Sequence, residues 1–334
     1  MNYSIKDFAP ILLGEIEKAN KILLHCHPSS DPDSVGSALA MKLALESLGK
    51  NATVIQGDDT IPLAFDFPGV KSIIPKSYFD IDLSEFDLFI SLDSGSKGMI
   101  SNKAEITFPE SLKVIVIDHH KSNEKYGHIN FVDPSYPSTA QLLFDIFKEI
   151  KIKFNHDIAL NIFIGMYTDT GGFKYGNVNS NTFKILAELV ELAPDFTKTI
   201  FTLENSNRKQ KLVFDGLALS SIKEFCDGKL AIASVGNDDI VKNDINGDDI
   251  ISGSISNQLK SVIGYDIGIV MIEEIKGKVK ISIRTRDSQK YDVSKLAVAL
   301  GGGGHIAAAG ARLNMTIQQA IDKVVETTKV IYNL

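Results

Sequence analysis

Short apolar runs and longer stretches of helical periodicity alternate through the first half of the chain. Residues 8–20 place apolar side chains on one helical face, and residues 21–24 then form a compact apolar run. Runs of the same kind lie at 53–55, 87–92 and 114–117, with helical patterns at 35–48, 137–148 and 156–167. Strands alternating with helices predict an α/β domain on a parallel sheet. From 179 to 222 the pattern is helical, interrupted at Pro194 and at Asn205-Ser206-Asn207. Strand-like segments follow at 230–235, 267–272 and 279–285, then helices at 293–300 and from Ile317. At 334 residues the chain exceeds one comfortable core. The expected division is a domain over 1–190, a helical linker over 191–222 and a smaller α/β domain over 223–334.

The run Val114-Ile115-Val116-Ile117 ends abruptly in Asp118-His119-His120. A run that short and β-branched reads as a strand buried on both faces, with its chemistry where the strand stops. In open α/β sheets the ligand crevice lies outside the carboxyl ends of the strands. The arrangement occurs twice more. Residues 21–24 lead into His25-Cys26-His27-Pro28-Ser29-Ser30-Asp31-Pro32-Asp33-Ser34, and residues 87–92 end in Asp93-Ser94-Gly95. Alternation turns His25 and His27 to one face and Cys26 to the other, so Cys26 is expected in the core and His25 to pack behind the ligands. Ser34 or Asp33 is the expected cap of the next helix. Asp169 sits where a helical pattern breaks into Thr170-Gly171-Gly172-Phe173.

If those strands are neighbours, carboxylates and imidazoles converge on one crevice. So many acids raise one another's pKa unless a counter-charge is present, and divalent metals supply it. A His/Asp set without thiolate favours Mn²⁺ or a similar ion over structural zinc. Two ions suit the number of ligands, with Asp93 as the carboxylate able to bridge them. Each fragment has a plainer reading: Asp-x-Asp after a strand often only caps a helix, and Asp93 before Ser-Gly can be a turn. The conjunction decides, because five of the seven histidines fall in the segments carrying Asp-x-Asp, Asp118-His119-His120 and a later glycine run. His128 and His156 lie outside any cluster, as surface or capping residues.

Composition narrows the class. Net charge is −7 with no basic run, which argues against a footprint on long duplex nucleic acid and leaves room for a small anionic ligand. No run approaches the ~18 apolar residues of a membrane span. No signal-peptide layout is seen, and two distant cysteines, Cys26 and Cys226, suggest no disulfide framework, so a cytoplasmic protein is expected.

On these residues the chain resembles the DHH phosphoesterases. Asp118-His119-His120 is similar to their name-giving motif, and His27-x3-Asp31-x-Asp33 with Ser34-Val35-Gly36-Ser37-Ala38 to the first motif. Asp93 resembles the second and Thr168-Asp169-Thr170-Gly171-Gly172-Phe173 the fourth, while the stretch 301–310 resembles the signature of the accompanying DHHA1 domain. The resemblance implies a Rossmann-like parallel-sheet DHH domain followed by a smaller α/β DHHA1 domain. It also implies one Mn²⁺ on His27, Asp31 and Asp93 and another on Asp33, Asp93, His119 and Asp169. His120 would contact the scissile phosphate and Asp118 would orient the histidines. Ile306 follows Gly-Gly-Gly-His where the family often has Pro or Lys, and Ser29-Ser30 precede Asp31 where Arg-Pro or Gln-Pro is common. Both departures leave substrate choice open.

In the second half, glycines 301–304, with Gly302, Gly303 and Gly304 before His305, can bring backbone N–H groups close to an anion. Strand alternation turns Arg284 and Arg286 the same way, and Arg284 is the expected phosphate ligand. The expected activity is Mn²⁺-dependent hydrolysis of phosphoester bonds in short nucleotides by a two-metal-activated hydroxide. The substrate is a short oligonucleotide (nano-RNA) or a mononucleotide bisphosphate, 3′-phosphoadenosine 5′-phosphate, and a homodimer is a compatible assembly. The alternatives are a cyclic di-AMP or pApA phosphodiesterase, and a non-catalytic nucleotide-binding regulator. Inorganic pyrophosphatases share the first domain, but the glycine-rich stretch argues against them.

Overall fold

Ser4 opens the first helix with a reciprocal cap to Asp7, and α1 (Ile5–Lys18) buries Phe8, Ala9, Leu12 and Ile16, the i, i+4 spacing of one face. The computed structural model describes residues 3–334, the side chain of residue 248 excepted. The chain then builds β1 (Lys21–His25), α2 (Pro32–Ser47), β2 (Asn51–Ile55), β3 (Leu88–Leu92), β4 (Lys113–Asp118) and β5 (Ile129–Val132). Next come α3 (Thr139–Glu149), α4 (His156–Asp169), α5 (Ser180–Leu192) and α6 (Phe196–Asn205). The five strands are all parallel, in the order β2-β1-β3-β4-β5. That order reverses between β1 and β3, and an open α/β sheet has its ligand crevice at such a switch point.

Two layers cover this sheet, and they differ. Ile22, Leu24, Ile90, Leu92, Ile115 and Ile117 pack against helices α1 to α5. Leu23, Phe89, Val114 and Val116, one residue out of phase, pack against Tyr78, Ile100, Ile106 and Leu112 from irregular segments and short 3₁₀ turns. The period of two along each strand is what sends alternate residues to the two layers. Helices α2 and α4 cross closely: a Cβ at Gly36 would lie 2.6 Å from the Asn161 carbonyl oxygen.

The chain divides into compact units at 1–206 and 207–334. The stretch expected as a linker is helical but is shared, with α6 in the first unit and α7 (Lys209–Ser220) in the second. The second unit continues with β6 (Lys223–Phe225), β7 (Leu230–Val235), α8 (Asn237–Lys242), α9 (Ser252–Ser261), β8 (Ile267–Ile275) and β9 (Lys278–Thr285). It ends with α10 (Val293–Ala299), β10 (Gly303–His305), β11 (Ala308–Leu313) and α11 (Ile317–Tyr332). Its sheet runs β10-β11-β9-β8-β7-β6, antiparallel except for β7 with β8. One face packs on α10 and α11 and the other on α7, α8 and α9.

Several local expectations are corrected. The second helix begins at Pro32, and its cap is Asp31, whose side chain accepts from the Ser34 N–H; Asp33 and Ser34 lie in the first turn. A proline at the first helical position costs no hydrogen bond, so the helix starts earlier than its apolar periodicity. β5 escapes notice because it is four residues long and carries Asn130. The glycine run leads into the edge strand of a hairpin, with Gly303 and Gly304 paired to β11. No helix among the described residues is long and apolar enough to cross a membrane.

Candidate metal centre

β1 ends at His25, and the chain turns through Cys26 and His27 into the Asp31 cap. His25 is fully buried, with Nε2 2.8 Å from the Ser91 hydroxyl, and Cys26 lies in the helix-side core. The turn is held from several sides. Ser30 donates to the His27 carbonyl at 2.5 Å, and Ser29, with φ +54°, donates its N–H to Asp59 at 2.7 Å. The His27 N–H donates to the Ser34 hydroxyl at 3.1 Å.

Within this turn His27 has its Nδ1 2.9 Å from the Pro28 carbonyl oxygen and its Nε2 3.7 Å from Asp31 Oδ2 and from Asp93 Oδ2. His119, just past β4, repeats the arrangement. Its Nδ1 lies 3.3 Å from the Tyr136 carbonyl oxygen, and its Nε2 is 3.2 Å from Asp169 Oδ2 and 3.5 Å from Asp93 Oδ1. A carbonyl beside Nδ1 fixes the proton there, leaving the Nε2 lone pair for whatever sits among the carboxylates. His120 differs, because its Nδ1 donates to Asp118 Oδ1 at 2.7 Å and Nε2 is the nitrogen left over.

Asp93 follows β3 with φ +52°, a left-handed conformation that aspartate tolerates better than most residues. Asp33 is 1% exposed, with Oδ2 accepting from the Thr139 N–H at 2.8 Å and Oδ1 from the Ala140 N–H at 3.0 Å. These are the first amides of α3, whose positive end faces the acid. A Cβ at Gly165 would lie 2.5 Å from Asp33 Oδ1, so only glycine on α4 leaves room for this carboxylate. Asp169 is the last residue of α4, placed by the helix end that Thr170 caps. Asp118 is fully buried and accepts from the His119 N–H, His120 Nδ1 and Asn123 Nδ2.

Among the described residues, three groups have ligand atoms all within 4.8 Å of one another: His27, Asp31 and Asp93; Asp33, His119 and Asp169; and Asp93, Asp118, His119 and His120. The first-unit residues singled out from the sequence thus come together at the strand switch point. Burial raises the Asp33 carboxyl well above the usual range, and Asp93, Asp169 and Asp31 push it further. Burial and the neighbouring acids carry Asp169 up to about 6 against the pull of His119. Burial opposes charge on His27, yet Asp31 and Asp93 outweigh it and push the imidazole up to about 11. Asp33, Asp169 and His27 all shift toward holding protons, as donor groups crowded around a place for positive charge do. Oxygen and imidazole donors in fixed tautomers fit divalent cations.

Thr139 and Asn123 carry no sequence signature and were not anticipated. Thr139 Oγ1 donates to Asp93 Oδ1 at 2.9 Å, and Asn123 Nδ2 donates to Asp118 Oδ2 at 2.6 Å and to the Ser94 carbonyl at 3.1 Å. Asn123 stands three residues past His120, and that proximity is the one available signal.

In the second unit, β-register aligns His305, Ala308 and Arg284 across three strands, and Gly303, Gly310 and Ser282 in the adjacent row. Paired residues share a face, so His305 and Arg284 flank a floor of glycine and alanine. A Cβ would meet the Gly310 carbonyl oxygen at 2.1 Å from Gly302 and the Ala309 Cα at 2.6 Å from Gly304, but nothing within 4 Å from Gly303. Two glycines are therefore required by hairpin packing, and Gly303 is not. Arg284 Nη1 donates to the Ile283 carbonyl at 3.0 Å, whereas Arg286 lies beyond β9 and donates to the Val262 carbonyl at 3.0 Å.

Comparison with known proteins agrees with this layout. The DHH family N-terminal domain matches residues 21–166, and the DHHA1 domain matches residues 227–331. The chain is 29% identical to the bifunctional oligoribonuclease and PAP phosphatase NrnA of Thermus thermophilus, over 95% of this chain and 93% of that one. To the protein of the same name from Bacillus subtilis it is 23% identical, over 90% and 92%. The crystal structure of an exopolyphosphatase-related protein from Bacteroides fragilis superposes with a TM-score of 0.86 at 27% identity, covering 98% of this chain and 97% of that one. With its histidine and aspartate motifs gathered beyond the ends of the first sheet's strands and a DHHA1 domain following in sequence, the chain belongs to the DHH family.

Proposed function

We propose that this DHH-family phosphoesterase hydrolyses phosphoester bonds in short nucleotides, nano-RNA fragments or 3′-phosphoadenosine 5′-phosphate, using two Mn²⁺ ions in the cytoplasm. One observation carries the reading: His27 and His119 each hold Nδ1 against a backbone carbonyl, while Asp93 sends Oδ2 toward one Nε2 and Oδ1 toward the other. One ion is assigned to His27, Asp31 and Asp93, the other to Asp33, Asp93, His119 and Asp169. When bound, two such ions activate water and neutralise charge on the phosphoryl oxygens.

The protein's own groups do the rest. His120, its Nδ1 committed to Asp118, presents Nε2 to the scissile phosphate as a donor. Burial would raise the Asp118 carboxyl, but the hydrogen bond from His120 outweighs this and keeps it low, so it stays ionised. In the second unit Arg284, His305 and the glycines Gly302, Gly303 and Gly304 are assigned to the far part of the nucleotide, and Gly303 is the one of the three whose missing side chain faces open space. The activities named for the Thermus and Bacillus relatives support this substrate class.

The test is one panel of substrates with Mn²⁺: dinucleotides to pentanucleotides, 3′-phosphoadenosine 5′-phosphate, pApA, cyclic di-AMP and pyrophosphate. The expected result is turnover of dinucleotides or 3′-phosphoadenosine 5′-phosphate, abolished by chelation and restored by Mn²⁺. Preference for cyclic di-AMP or for pyrophosphate would overturn the substrate assignment. Binding of nucleotides without turnover of any of them would make the protein a regulator.

A further inference from the structure

We propose that Thr139 is a positioning residue for the dinuclear centre: its hydroxyl fixes the Asp93 carboxylate so that one oxygen faces each metal triad. The assignment rests on the two-ion reading above. Thr139 is fully buried and opens α3, but it does not cap that helix; Ser138 does, accepting from the Gln141 N–H. Its hydroxyl donates instead to Asp93 Oδ1 at 2.9 Å, while its own N–H donates to Asp33 Oδ2 at 2.8 Å. One residue thereby holds two carboxylates that reach the site from different places, the loop after β3 and the first turn of α2.

The hydroxyl contact matters because a carboxylate rotates easily about its last torsion, where the preference is broad. Asp93 Oδ1 stands 3.5 Å from His119 Nε2 and 3.7 Å from His120 Nδ1, and Oδ2 stands 3.7 Å from His27 Nε2. Rotation would remove this split, and with it the ability to bridge. Threonine is suited to the task, since its branched Cβ restricts the first side-chain torsion and so the direction of the hydroxyl. The main-chain bond from the Asp93 N–H to the Ile117 carbonyl, 3.2 Å long, anchors the backbone and does not restrain the carboxylate torsion.

The experiment compares parent, Thr139→Val and Thr139→Ser proteins, stripped of metal and titrated with Mn²⁺ by calorimetry and by low-temperature electron paramagnetic resonance. Valine keeps the shape and deletes the hydroxyl; serine keeps the hydroxyl. Parent and Thr139→Ser are expected to take two ions and show an exchange-coupled spectrum. In Thr139→Val the second ion should bind about 10–100-fold more weakly, the usual cost of losing a ligand's supporting hydrogen bond, and an isolated-ion signal should persist. Circular dichroism shows whether the valine variant is folded, and Thr139→Ala serves in its place if it is not. Two ions with parental affinity and coupling in the hydroxyl-deleted variant would overturn the role of Thr139 alone. A parent that binds a single ion would overturn the two-ion reading and this assignment together.

Discussion

Asp118 Oδ1 accepts a hydrogen bond from His120 Nδ1 at 2.7 Å, whereas the neighbouring His119 turns its Nδ1 to the Tyr136 carbonyl at 3.3 Å. Consecutive imidazoles are thus held by different partners, His120 through Asp118 and His119 through a backbone carbonyl. His120→Ala should keep its metal and lose kcat by roughly 10²–10⁴-fold, the range for a lost acid–base or electrostatic group. His119→Ala should lose metal. Metal analysis of the two variants beside their kcat values checks this, and equal metal loss in both would sink the distinction.

His25 gives the fold a sensitivity to acid. Burial, reinforced by His27, pushes its imidazole from 6.5 down to about 3. The unfolded chain takes up this proton near pH 6.5 and the folded chain does not, so stability falls as pH drops from 6.5 toward 3. The slope from this one group is up to about 1.4 kcal/mol per pH unit. Urea unfolding of chelated protein between pH 6.5 and about 5 should show parent and His25→Asn diverging, the parent losing stability relative to the variant as pH falls, by up to that slope. Parallel pH dependence in the two proteins would contradict it.

The hairpin glycines separate packing from recognition. Gly302→Ala should destabilise by roughly 1–3 kcal/mol, because its Cβ would lie 2.1 Å from the Gly310 carbonyl oxygen. Gly303→Val should change stability by no more than about 0.5 kcal/mol while weakening kcat/KM for nucleotides. Thermal melts beside kinetics decide, and equal destabilisation by both would assign Gly303 to the fold.

Arg284→Ala should weaken kcat/KM for a dinucleotide by about 10–150-fold, the equivalent of a charge-assisted bond of roughly 1.5–3 kcal/mol. Hydrolysis of bis(p-nitrophenyl) phosphate, too small to need a second contact, should hardly change. Equal loss on both substrates would end the proposed division of labour between the units.

Much of the first unit was legible because strand ends announce themselves. Val114 to Ile117 can only be buried, so Asp118, His119 and His120 had to emerge at an edge, and parallel pairing of β1, β3 and β4 brings them beside His27 and Asp93. Thr139 was not legible, since its contacts with Asp33 and Asp93 span 106 and 46 residues and depend on where α3 begins. The Asp31 cap was hidden by the proline after it, which starts a helix without adding to its apolar period. The glycines read as a phosphate loop because composition cannot separate a flexible connector from an edge strand pressed against Gly310 and Ala309.

The two-ion centre is tested most directly by the Mn²⁺ content of Asp93→Ala, measured on the same samples whose dinucleotide hydrolysis is followed. Among the described residues, only Asp93 sends oxygens toward both His27 and His119. Two Mn²⁺ per chain are expected in the parent, fewer than two in the variant, and no turnover without the second ion. An Asp93→Ala protein that still holds two Mn²⁺ and still hydrolyses the dinucleotide would contradict it.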